Sequence, residues 1–155
     1  MIERLRSDKR PLILIFIAIL VLGGFFLVVA PLFATTGTAS AALGGTLPSS
    51  GTVGTSLEID VGYDNTGQSV INPTCLLIEV TGPLQPSSVS FQGLDVVPVK
   101  NGEACGGALN GQETISMRVI MQPTGPGTAQ VTLTPAKGLS GIGPGVSGSI
   151  PISAS

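Results

Sequence analysis

The feature that most constrains this chain is an uncharged apolar run near its N-terminus. Residues 12–33 read LILIFIAILVLGGFFLVVAPLF, with no charged side chain among them. As an α-helix, a run of this length reaches about 33 Å, which is enough to cross a hydrocarbon core about 30 Å thick. A soluble chain of 155 residues cannot surround a helix that is apolar on every face. We therefore predict one transmembrane helix over 12–33, in contact with the lipid bilayer.

The charges that flank this run predict its orientation. Four basic residues lie in the tail 1–11, and the next basic residue after the run is Lys100. Because short basic flanks remain in the cytoplasm, the tail is predicted to be cytoplasmic and the rest of the chain to lie outside. The alternative is a cleaved signal peptide, since 39–41 reads ASA, although the apolar core of such a peptide is usually only about 7–15 residues long. Both interpretations place the C-terminal domain outside the cytoplasm.

Three small residues within the run predict contact with another membrane helix. Gly23 and Gly24 interrupt the bulky side chains, and Ala30 follows Gly23 by one heptad on the same helix face. Small residues allow two membrane helices to approach closely, so other integral membrane subunits are expected partners. The alternative is ordinary glycine usage, because glycine is frequent in membrane helices.

The composition changes after the run. Residues 34–52, ATTGTASAALGGTLPSSGT, are small and mostly polar, which predicts a flexible linker. Residues 53–155 alternate apolar and polar side chains in short segments bounded by turn residues, a pattern typical of half-buried strands. Because no helical period separates these segments, we predict an all-β domain: an antiparallel two-sheet sandwich of about seven strands. The predicted strands centre on 57–63, 76–80, 89–91, 94–99, 115–121, 129–133 and 150–152.

Two stretches carry a resemblance to a known class of domain. Leu57 leads through an alternating strand to the turn Asn65-Thr66-Gly67, and the segment Val119–Gly127 is followed by a further strand. In this pattern residues 50–153 resemble the immunoglobulin-like modules of bacterial and archaeal cell-surface proteins. The resemblance implies an immunoglobulin-like sandwich, but the buried tryptophan of antibody domains is missing from this chain. Since sandwiches host many functions, the resemblance implies no particular activity.

Cys75 and Cys105 are the only two cysteines. An even number of cysteines in a small exported domain predicts a disulfide, here between a strand start and the glycine-rich loop 101–107. Two free thiols, or a metal or redox role, are the alternatives.

Oxygen-bearing residues cluster near the end of the first predicted strand. Asp60, Asp64 and Asn65 are ligand types that Ca²⁺ accepts, which gives a calcium-site hypothesis. The alternative is an ordinary turn with solvated acidic side chains.

Other chemistry is poorly represented. The chain has no histidine, which removes the commonest general base and metal ligand. Residues 35–155 hold three basic and seven acidic residues, a balance that disfavours nucleic acid as a partner. We therefore predict no enzyme and no cofactor, and expect an accessory or scaffold subunit of a larger membrane complex, of a respiratory, photosynthetic or transport kind. A pilin-like filament subunit, which is a homo-oligomer, and a surface adhesion module are the alternatives.

Overall fold

The computed structural model describes residues 37–155, apart from 93 and 94. The tail 1–11, the run 12–33 and its small residues Gly23, Gly24 and Ala30 lie outside the described residues, so their predictions stay predictions. Every regular element of the described part is a β-strand. A helix long and apolar enough to span a membrane is not found among these residues.

The strands of the described part alternate buried and exposed side chains. In order they are β1 (Ala42–Gly45), β2 (Gly51–Thr52), β3 (Leu57–Asp64), β4 (Cys75–Thr81), β5 (Leu84–Phe91), β6 (Asp95–Pro98), β7 (Glu103–Cys105), β8 (Thr114–Pro123), β9 (Gly127–Lys137), β10 (Ser140–Gly141) and β11 (Val146–Ser153).

These strands form two sheets. The first, sheet A, has the order β1-β3-β8-β5-β6, and the second, sheet B, has the order β2-β11-β9-β4-β7, with β10 paired to β9. All neighbouring strands run antiparallel except β11 and β2, which are parallel. The predicted all-β, two-sheet sandwich is confirmed.

Aliphatic side chains from the inner faces of both sheets fill the core. In β3, Leu57, Ile59 and Val61 are buried while the polar residues between them are exposed. Alternation of this kind places one face of a strand in the core and the other in solvent. The largest fully buried side chains are Tyr63, Ile59, Ile71, Leu76, Leu109, Met117, Met121, Leu133, Ile150, Val89, Val119 and Val131.

The described part contains eleven strands, where about seven were predicted. The seven predicted segments correspond to β3, β4, β5, β6, β8, β9 and β11, whereas the short strands β1, β2, β7 and β10 were not predicted. Their two to four residues are too few to show an alternating pattern, and β1, β2 and β10 consist largely of small residues such as glycine and serine.

The predicted linker over 34–52 requires a correction, because part of it belongs to the sandwich. Residues 42–45 and 51–52 are strands, so the folded domain begins before residue 53. The backbone N–H groups of Ala41 and Leu43 donate to the carbonyls of Ile142 and Pro144, at 3.1 and 3.0 Å. On the other side of β1, small residues permit close packing against β3: a Cβ on Gly45 would lie only 2.8 Å from the Asp60 carbonyl oxygen. The small residues of this segment therefore allow tight packing within the sandwich, rather than forming a linker.

Candidate functional site

The predicted disulfide is present. Cys75 opens β4, Cys105 closes β7, and the two residues face each other directly in the antiparallel pair formed by these strands. The bond therefore fastens a three-residue edge strand to sheet B. Glu103 lies beside the pair and completes a group of potential metal ligands, but cysteines joined in a disulfide offer no thiolate to a metal.

The structure does not bring the three candidate calcium ligands to one point. Asp60 and Asp64 are four residues apart on β3, about 13 Å at the usual rise of a strand. Asp60 pairs instead with Arg118, and an oxygen of Asp64 accepts a hydrogen bond from the Thr114 hydroxyl at 3.1 Å.

Asn65, the third candidate, is fully buried and holds two loops together. Its amide nitrogen donates to the carbonyls of Ser69 at 2.9 Å and Asn110 at 2.8 Å, with a longer bond to Leu109. Its side-chain oxygen accepts from the N–H of Gly67 at 3.1 Å. Since the oxygen is engaged within the loop, Asn65 serves the fold here. The turn was predicted from the sequence, but this fastening role was not.

A charged cluster occupies the outer face of sheet A. The Arg118 guanidinium donates to both oxygens of Asp60, at 2.7 and 3.2 Å, and a third nitrogen lies 3.1 Å from Glu58. Hydrogen bonding from Arg118, with its positive charge, lowers the pKa of Asp60, and the hydrogen bond and charge of Asp60 raise the pKa of Arg118. Because the side chains are at least half exposed, the cluster adds little to stability and chiefly fixes the direction of the arginine.

A shallow concavity adjoins this cluster. Gly44 of β1 faces Gly62 of β3, and Gly62 faces Ser116 of β8, so three of the smallest residues lie in one row across the sheet. The row, with Arg118 and Asp60 at its side, lines a depression of about 510 Å³. Sequence reasoning missed this feature, because only the register of the strands brings the small residues together.

Tyr63 places one polar group inside the core. Its hydroxyl donates to the carbonyl of Ala136 at 3.2 Å and so ties sheet A to sheet B. Burial raises the pKa of the phenol to about 12, so the side chain is neutral at physiological pH.

Comparisons with known proteins identify no family for this chain. No family model matches the chain, and neither does any curated protein. Solved structures similar to it include the CARDB domain of a Pyrococcus furiosus protein, with 13% identity over 75% of this chain and 94% of that one and a TM-score of 0.48. A conjugative transposon lipoprotein from Bacteroides eggerthii shares 9% identity over 71% of this chain and 95% of its own, with a TM-score of 0.48. A cohesin module from a Clostridium perfringens family 33 glycoside hydrolase shares 13% sequence identity. The match covers 76% of this chain and 100% of that module, with a TM-score of 0.44.

The two packed sheets of the described residues define a β-sandwich module. Its neighbours among solved structures are diverse sandwich domains, including CARDB and cupredoxin domains.

Proposed function

We propose that the chain is a non-catalytic, single-pass accessory subunit of a larger membrane complex. In this proposal 12–33 spans the bilayer, the tail is cytoplasmic, and the immunoglobulin-like sandwich docks on the outer face of the complex. The uncharged run and its basic flank support the span and its direction. The disulfide supports an oxidising compartment for the sandwich, because structural disulfides persist outside the cytoplasm.

The depression on sheet A is the observation that carries the docking proposal. Side chains normally cover the outer face of a sheet, but the facing pair Gly44 and Gly62 leaves backbone accessible at its centre. A protruding side chain from a partner subunit can enter a depression of this kind without displacing any side chain of the sandwich. The backbone there is already fixed by its ladder with β8, so binding orders little further.

Arg118 gives the same surface a preorganised rim. Its two acidic neighbours hold the guanidinium in place, and arginine is enriched at protein interfaces. We infer that the depression and this rim together form the docking face, with the charged cluster along one side of a nearly side-chain-free centre.

Filling the depression tests the proposal without damaging the fold. A Cβ on Gly62 would meet only the Gly44 carbonyl oxygen, at 3.9 Å, and β-branched residues favour strands. Gly62→Val should therefore leave thermal stability unchanged or raised while removing the docking surface. The matched control is Gly125→Thr in the turn after β8, where a new Cβ meets only Pro83, also at 3.9 Å.

The measurement is extraction of tagged, full-length protein from its native membranes in mild detergent, followed by native separation. Wild type and Gly125→Thr should migrate with larger membrane subunits, and Gly62→Val should migrate as the free 15.6 kDa chain. Wild type recovered only as free chain would overturn the accessory-subunit proposal. Gly62→Val retained in the complex would overturn the docking face, and recovery of wild type in sheared filaments would favour the pilin-like alternative.

A further inference from the structure

The chain joins the sandwich at one particular end. The carbonyl of Gly37 accepts a hydrogen bond from the Ser69 hydroxyl at 3.0 Å, and the carbonyl of Ser40 accepts from the N–H of Gly67 at 3.2 Å. The first described residues are thus fastened to the loop that follows β3.

Strand register shows which other segments lie at this end. The last residue of β3, Asp64, faces the first residue of β8, Thr114, and the first residue of β4, Cys75, faces Ala136 near the end of β9. The Tyr63 hydroxyl bonds to the carbonyl of Ala136 and brings the two sheets together here. We call this the proximal end; it comprises 37–41, 65–74, 106–113 and 137–142.

The proximal end carries exposed large hydrophobic side chains. Among the described residues the exposed large hydrophobics are Val70, Val96 and Leu139, which are 50%, 65% and 79% exposed. Val70 and Leu139 both lie in proximal loops, whereas Val96 lies on the lateral edge strand β6. Leu139 occupies the turn between β9 and β10, beside exposed Lys137. An exposed leucine two residues after an exposed lysine suits a bilayer interface, where apolar side chains enter and basic side chains remain at the headgroups.

The length of chain before Gly37 limits how far this end can lie from a membrane. Only residues 34–36 separate the predicted span from Gly37, and four peptide steps cover at most about 14 Å. The headgroup layer on one side of a bilayer is itself about 5–8 Å thick. If 12–33 spans the bilayer, Gly37 and the proximal end therefore lie within the headgroup layer or at most about 9 Å outside it.

We propose that the proximal end rests on the lipid interface, with Val70 and Leu139 inserted among the headgroups. This inference rests on the proposed membrane span, and it adds an orientation for the domain. In this arrangement the two inserted side chains and the covalent connection to the span all lie at the same end of the sandwich. The strands then run roughly along the membrane normal, with the C-terminus away from the bilayer. The sheet A depression faces parallel to the membrane, toward a neighbouring subunit.

Single-tryptophan variants test this orientation directly, because the chain contains no tryptophan. The full-length protein carries Leu139→Trp, Val70→Trp or the matched control Val96→Trp, and each variant is reconstituted in phosphatidylcholine vesicles. Tryptophan fluorescence is compared between vesicles with brominated and unbrominated acyl chains. The tryptophans at positions 139 and 70 should be quenched severalfold more than the one at position 96.

The results that would contradict the span and those that would contradict the orientation differ from each other. Protein that fails to float with the vesicles after an alkaline wash overturns the membrane span and the proposed function with it. Protein that floats but shows equal quenching at positions 139 and 96 overturns the orientation alone. A blue-shifted but unquenched tryptophan at position 139 means that protein rather than lipid covers this end, and it overturns the proposal too.

Discussion

The two ends of the sandwich are fastened in different ways. At the proximal end, buried side chains do the fastening: Asn65 bonds to three backbone carbonyls, and the disulfide fixes β7. At the opposite, distal end, the turns depend on backbone conformation, with Gly82 and Gly127 at φ angles of 94° and 143°. The disulfide and the buried Asn65 side chain lie toward the proximal end, so we expect variants there to lose more stability than variants at the distal end.

Removal of the disulfide should have the largest effect on stability. The bond closes a loop of 30 residues. For a loop of this length, the loss of entropy in the unfolded chain stabilises the folded state by about 3–4 kcal/mol. The double variant Cys75→Ala/Cys105→Ala should lose about this much free energy of unfolding, measured by chemical denaturation of the full-length protein in detergent. A loss below about 1 kcal/mol would show that the proximal end does not depend on its disulfide.

Asn65→Leu should be the next most damaging change. It leaves partly buried carbonyls without donors, and each unsatisfied group costs about 1–3 kcal/mol, so a loss of about 3 kcal/mol is expected. Asn110→Ala is the control, because its side chain is exposed and should matter by less than about 0.5 kcal/mol. Equal denaturation midpoints for the two variants would contradict the fastening role of Asn65.

Gly82→Ala probes the distal end. A Cβ there would lie 2.5 Å from the Thr128 carbonyl oxygen, at a φ angle that alanine rarely adopts. We expect a loss of about 2 kcal/mol, less than for the proximal variants. A thermal unfolding midpoint equal to that of wild type would remove the distinction drawn between the two ends.

High pH should weaken the fold gradually through Tyr63. The pKa of the phenol is about 12 in the folded chain and near 10 when unfolded, so between these values the unfolded chain loses the proton first. Stability is therefore complete below about pH 10 and falls by up to about 1.4 kcal/mol per pH unit as pH rises toward 12.

The control for this prediction is Tyr63→Phe, which removes the titrating group. The difference in unfolding free energy between wild type and this variant should shrink from pH 10 to 12, while phenolate absorbance of the native protein appears only near the upper value. A phenolate signal at pH 10 without unfolding would show that Tyr63 is not buried as described.

Sequence reasoning found the features that depend on local periodicity or on residue type. Seven strands and the disulfide all followed from local patterns. It missed β1 because glycine and alanine leave no alternating pattern, although Leu43 packs into the core.

The candidate site was harder to predict, because it depends on pairing between distant segments. The depression requires Gly44 to face Gly62, and the buried role of Asn65 requires the loop at 109–110 to fold over it. An Asp-Asn-Thr-Gly turn indicates only that an asparagine side chain caps its own loop.

Hydroxyl-radical footprinting of the native chain in lipid nanodiscs gives the most direct test of the oriented domain. In the sandwich without lipid, the exposed fraction of Leu139 is larger than that of Val96, and Pro126 at the distal end is exposed as well. If the proximal end rests on lipid, Leu139 and Val70 should be oxidised much more slowly than Val96 and Pro126. Oxidation of Leu139 that is as fast as that of Val96 would contradict the account.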